Sequence, residues 1–133
     1  MKEHINFEPV EGVSIAIAKS DDPLDTYWQV FLINSNPYQL DNVIVVSKGY
    51  SGTGDQKVQT SVLRHVFAQV KPKDHVLVEP IDPGIFHLTN EFWVSYYVEG
   101  KVFDKKYVFV PDTIVTENLI SISSINRVGV LHS

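Results

Sequence analysis

Apolar residues recur at every second position along most of this chain, the spacing of strands with one face on a core. In Val13-Ser14-Ile15-Ala16-Ile17-Ala18 large side chains alternate with small ones, until Asp21-Asp22-Pro23 breaks the pattern. Residues 27–33 are apolar on both faces except at Gln29, as in a central strand, and Asn34-Ser35-Asn36-Pro37 is a turn signal. A β-branched run over 43–46 ends at Gly49, and 50–57, with Gly52 and Gly54, has the composition of a long hairpin loop. Val58, Thr60, Val62, Val66, Ala68 and Val70 then share one face at period two, interrupted by Arg64. A short strand over 76–78 closes at Pro80 and Asp82-Pro83-Gly84.

The clearest element is a hairpin of two aromatic-rich strands, 92–98 and 102–110, joined at Glu99-Gly100. A two-residue loop ending in Gly favours a type I′ turn, whose twist matches the strands. Pairing Val98 with Lys101 sets Phe92 opposite Tyr107, Val94 opposite Lys105 and Tyr96 opposite Phe103. On the other face Trp93 meets Lys106 and Ser95 meets Asp104. The first face is the predicted core. The second, with Trp93, Tyr97 and Lys106, is solvent-facing or buried in a partner, and is the candidate interface.

About seven short strands with turn signals roughly every 8–12 residues predict an all-β fold. The expected form is a two-layer antiparallel sandwich of immunoglobulin-like topology, a single domain over 1–133. After Pro111 the strand period is lost, and Asp112-Thr113 is a candidate cap for a short helical turn with Glu117 near its start. The tail 112–133 is too apolar for a solvated terminus, with Ile114, Leu119, Ile122, Ile125, Val128, Val130 and Leu131. It is expected to pack on the sandwich or on a neighbouring subunit, the Trp93 face being one receiver.

Composition narrows the classes. A hydrophobic fraction of 44% suits a folded domain, and a net charge of −5 disfavours nucleic acid as partner. The absence of cysteine removes thiolate metal sites and points to a reducing, cytoplasmic setting. The polar N-terminal stretch lacks the apolar run of a signal peptide, and no run approaches the roughly 20 residues of a membrane span. The glycines match neither a dinucleotide fingerprint nor a phosphate loop, and no serine sits in a nucleophile elbow. No cofactor is expected. His4, His65, His75, His87 and His132 show no metal-ligand spacing, so a metal would need His65, His75 and Glu79 to converge.

Arg64 is the unusual residue. On a core face its guanidinium must find a carboxylate or carbonyl partner, or bind an anion; at a strand edge its stem carries it to water. Two functions follow. One is a non-enzymatic binding or assembly module, with a protein partner or a second copy. The other is a small-anion binding protein or enzyme with a loop-end site at Arg64, His65 and His87.

Val10-Glu11-Gly12-Val13, Ser47-Lys48-Gly49-Tyr50, Leu63-Arg64-His65 and residues 92–111 together resemble a group of small bacterial β-sandwich proteins often labelled phenylalanyl-tRNA synthetase alpha subunit. The resemblance runs over most of the chain, but its motifs are structural. The label would imply a class II synthetase core of several hundred residues with motif arginines. The two arginines here, Arg64 and Arg127, lie in no such motif.

Overall fold

The computed structural model describes residues 9–52 and 57–133. The stretch 1–8, with the expectation that it holds no signal peptide, and the centre of the Gly52–Gly54 loop lie outside the described residues. Among the described residues ten strands form two antiparallel sheets, more than the seven or so expected. One sheet comprises β1 (Val13–Lys19), β2 (Trp28–Asn34), β6 (His75–Ile81), β9 (Ile120–Ile122) and β10 (Arg127–His132), in the order β6-β2-β1-β10-β9. In the other, β4 (Val58–Gln59) and β5 (Leu63–Val70) both pair with one side of β3 (Leu40–Ser51). β7 (Thr89–Val98) pairs with its other side, and β8 (Lys101–Phe109) lies outside β7.

Between the sheets, Ile15, Ile17, Val30 and Leu32 meet Val43, Val45, Phe92, Val94, Tyr96, Tyr107 and Phe109. The β7–β8 register is the one the turn predicts, from Val98 opposite Lys101 to Phe92 opposite Tyr107. Glu99 and Gly100 have φ of 49° and 78°, the double left-handed conformation of a type I′ turn. Tyr96 stacks on Phe103 with ring centres 5.1 Å apart. Lys105 points inward from edge strand β8, its ammonium 4.8 Å from the Tyr107 ring centre. An inward charge on an edge discourages another chain from adding there.

The expected face of β5 is inverted over 64–68, while Val70, opposite Leu40, is buried as expected. Arg64, Val66 and Ala68 are exposed, while half-buried His65 and Phe67 turn inward. The cause is a slip. Ser51 pairs with Val58, but Ser47 pairs with Leu63, so one residue is gained between β4 and β5. Because side chains alternate, a shift of one exchanges the faces. Gly49 does not end β3; it lies within the strand, and its N–H donates to Thr60 Oγ1 at 2.7 Å.

The tail does not reach Trp93. It forms the β9–β10 hairpin, and β10 pairs with β1 from Ile15–His132 to Ala18–Gly129. The short helical turn is at Thr116–Asn118 behind Val115, rather than capped at Asp112-Thr113. Burial on both faces explains the alternation in β1. Ile15 and Ile17 fill the main core, while Ala16 and Ala18 are small enough for Ile122 and Ile125 to fold over them beside Phe31 and Ile33.

Gly129 sits where β10 approaches β1 most closely. A Cβ there would lie 2.5 Å from the Ile17 carbonyl oxygen and 2.6 Å from Ala18 Cα. Both are backbone atoms in a paired strand and cannot swing aside. Gly129→Ala is expected to cost about 2 kcal/mol, the range of overpacked sites. Thermal unfolding should show a Tm lower by roughly 5 °C or more; an unchanged Tm would mean that β10 is not held against β1 in this register.

Candidate functional site

The outward side chains of β5, β3, β7 and β8 form one open face, and Arg64, Trp93, Tyr97 and Lys106 all stand on it. Arg64 stands opposite Val46, Val46 opposite Trp93, and Trp93 opposite Lys106, a single row across four strands. The next row is Val66, Ile44, Ser95 and Asp104, and Tyr97 lies further along opposite Val102. Val66 is 65% exposed, Trp93 45% and Tyr97 42%, so the face is both apolar and uncovered.

Hydrogen bonds hold much of this face in place. The Trp93 indole N–H donates to Asp104 Oδ1, which also accepts from Ser95 Oγ at 2.9 Å. The Lys106 ammonium lies 5.0 Å from the Trp93 ring centre. Glu91 is buried under a cationic cover, 3.8 Å from both Lys48 and Lys106, and accepts from the Tyr50 hydroxyl at 3.3 Å. Burial and the Glu91 charge push the Tyr50 phenol up. Arg64 has no hydrogen bond or ion pair among the described residues.

A second polar cluster lies in a cleft of about 270 Å³ between the sheets, lined by Ser47, Thr60, Glu79 and Asn90 among others. Glu79, nearly buried, accepts from Ser47 Oγ at 2.7 Å and lies 2.7 Å from His65 Nε2, both at Oε1. A hydrolytic relay needs the histidine between serine and acid. Here the carboxylate oxygen is in the middle, and His65 is not placed to take the serine proton. The cluster stabilises the cleft by satisfying a buried carboxylate.

The expected loop-end trio does not assemble. Arg64 and His65 are neighbours on a strand and point to opposite sides of the sheet, and His87 is exposed and does not line the cleft. His75 lies 3.9 Å from Asp74 and edge-on to Phe31, apart from the His65–Glu79 pair. Among the described residues no group of three His, Asp or Glu is placed to hold a metal ion, and no helix is long and apolar enough to cross a membrane. Ser47 appeared in the sequence only within a structural motif of the resemblance, with no chemical signal. Glu79 entered only as a candidate metal ligand with His65 and His75, and of that set the structure brings His65 and Glu79 together. Comparison with known protein families, with curated proteins and with solved structures found no match.

Proposed function

We propose that this protein is a non-enzymatic assembly module of immunoglobulin-like type whose β5-β3-β7-β8 face docks on a second copy of itself. The strand order supports the topology: β1, β2 and β6 lie in one sheet and β5, β3, β7 and β8 in the other, with β9 and β10 added beside β1. The absence of cysteine supports a reducing, cytoplasmic setting.

The observation that carries the docking is the row Arg64, Val46, Trp93, Lys106. Aromatic and arginine side chains are the usual energetic centres of interfaces. The charges fit a twofold arrangement. Among the described residues Arg64, on edge strand β5, has no hydrogen-bond or ion-pair partner, and Asp104, on edge strand β8, accepts from Trp93 and Ser95 at Oδ1. A twofold axis along the strands lays β5 of one copy over β8 of the other and keeps each row in place, so Arg64 stands over the row of Lys106, itself held at Glu91, and reaches Asp104 one row along at both ends of the contact.

Sedimentation of the wild-type chain should show a dimer that forms with rising concentration in the micromolar range. Trp93→Ser, which leaves every core residue in place, should weaken it at least tenfold, about the effect of losing one interface anchor. Arg64→Glu should weaken it as well, and more so at low salt. A monomer mass up to high micromolar concentration, or a dimer indifferent to both changes, would sink the proposal.

A further inference from the structure

The cleft between the sheets holds two oxygens that its own cluster does not use. Both bonds to Glu79 fall on Oε1, and the other oxygen, Oε2, has no hydrogen bond or ion pair among the described residues. Asn90, also buried, gives away both protons of Nδ2, to the Ile85 carbonyl at 3.0 Å and the Leu88 carbonyl at 3.2 Å. That fixes its amide, and Oδ1 is left without a donor. A Cβ on Gly49 would lie 3.2 Å from this Oδ1, so the glycine keeps it uncovered. Glu79 stands opposite Val30 and Asn90 two residues from Phe92, both core positions, so each side chain points between the sheets. Neither oxygen is sealed: the side-chain atoms buried without a partner among the described residues are at Gln29 and Arg127. The charge of the lining is one-sided as well. Glu79 and Asp82 line the cleft, while the Lys48 ammonium is turned to the open face, 3.8 Å from Glu91. His65 balances Glu79 only when protonated. A carboxylate this buried gains most from a partner that brings both a positive charge and an N–H.

We propose that this cleft binds a small aliphatic amine that carries a second hydrogen-bond donor, such as an amino alcohol. Its ammonium donates to Glu79 Oε2 and its second donor to Asn90 Oδ1. Glu79 is held by Ser47, and Asn90 Oδ1 lies by Gly49; these are alternate residues of β3, about 7 Å apart. The two oxygens are thus separated along the strand and call for two donors on one molecule. An ammonium has three donors and no acceptor, which suits a wall whose free polar atoms are acceptors. Leu63, Ile81, Ile85 and Phe92 make the rest of the wall apolar and receive the connecting methylenes. A cavity of about 150 Å³ admits benzene, so about 270 Å³ has room for such a chain. The site uses inward-facing residues and none of the open face, so it stands apart from the proposed dimer.

The full chain is titrated with 4-amino-1-butanol at neutral pH, where the amine is charged, and at constant ionic strength. The backbone N–H signals of Ser47, Gly49 and Asn90 should shift saturably, and those of Trp93 and Asp104 on the open face should stay in place. 1,4-Butanediol, with the same chain but no charge, should bind at least about tenfold more weakly, the effect of one charged contact. n-Butylamine, which keeps the charge and lacks the second donor, should bind severalfold more weakly. Glu79→Gln keeps the shape and removes the charge, and should weaken binding of the amino alcohol about tenfold. If that variant does not fold, the diol comparison on the wild-type chain decides alone. Signals that move no more with the amino alcohol than with sodium chloride would overturn the site. Equal affinity for the diol, or a folded Glu79→Gln variant that binds as well as wild type, would overturn the ammonium contact. Equal affinity for n-butylamine would remove Asn90 from it.

Discussion

Replacing Asn34 by leucine should remove roughly 3–5 kcal/mol of stability, a large share of the total for a domain of this size. Asn34 is fully buried at the end of β2. Its Nδ2 donates to the carbonyls of Tyr38 at 2.9 Å and Lys71 at 3.0 Å, with Val70 at 3.4 Å, and its Oδ1 accepts from the Asn36 N–H at 3.1 Å. One side chain thereby ties the turn after β2 to the turn after β5. Leucine is close in volume, so the site stays filled and excludes water, but it leaves several backbone groups without partners. Each such group costs about 1–3 kcal/mol. Urea unfolding should show a lower midpoint at unchanged slope. A loss below about 1 kcal/mol would mean that water reaches these carbonyls and that the clamp is not closed.

Alkaline pH should destabilise the fold by roughly 3 kcal/mol by about pH 11. Tyr96 and Tyr107 are buried in the core. Burial first, then the neighbouring tyrosine (Tyr38 for Tyr96, Tyr96 for Tyr107), holds each phenol well above its ordinary value. The Tyr107 hydroxyl also donates to the Val13 carbonyl at 2.6 Å. In the unfolded chain each phenol ionises near pH 10; in the folded protein it stays protonated beyond that. The unfolded state therefore binds fewer protons above about pH 10, and stability falls by about 1.4 kcal/mol per pH unit for each phenol. Below about pH 10 the two contribute no slope. Denaturant midpoints measured from neutral to strongly alkaline pH should trace this limb, and Tyr96→Phe and Tyr107→Phe should each remove one phenol's share of its slope, a smaller share remaining with Tyr50. A limb of the same steepness in both variants would assign it to other groups.

What the sequence made legible follows from how local each determinant is. Glu99-Gly100 sets the register of β7 and β8 by itself, so the order of Trp93, Tyr97 and Lys106 on one face was accessible from neighbouring residues. The face of β5 was not. Its phase depends on the one-residue slip between β4 and β5, where Thr60 turns to bond Gly49, and no local spacing signals it. The sequence therefore left Arg64 open between a core face and a strand edge in water, and it stands in solvent beside Val46. The tail showed its apolar residues but not their destination. That destination is the free side of β1, at the other end of the numbering. The Ser47–Glu79 bond joins residues from opposite sheets, as the Asn34 clamp joins two distant turns, and patterns read along one strand carry neither.

The place of β10 has a consequence for biosynthesis. Strand β1 finds β2 almost as soon as both leave the ribosome, but its other side pairs only with residues 129–132. Until residues 129–132 emerge, Ile15, Ala16, Ile17 and Ala18 thus form a bare edge, apolar on both faces, in a nascent chain. Such an edge is where a half-made domain recruits chaperones or joins its neighbours on the same message. Closing it is a long-range step and slow on the scale of hairpin formation. The finished sheet waits for β10, and a ribosome stalled before Arg127 displays an unfinished β1 however long it waits.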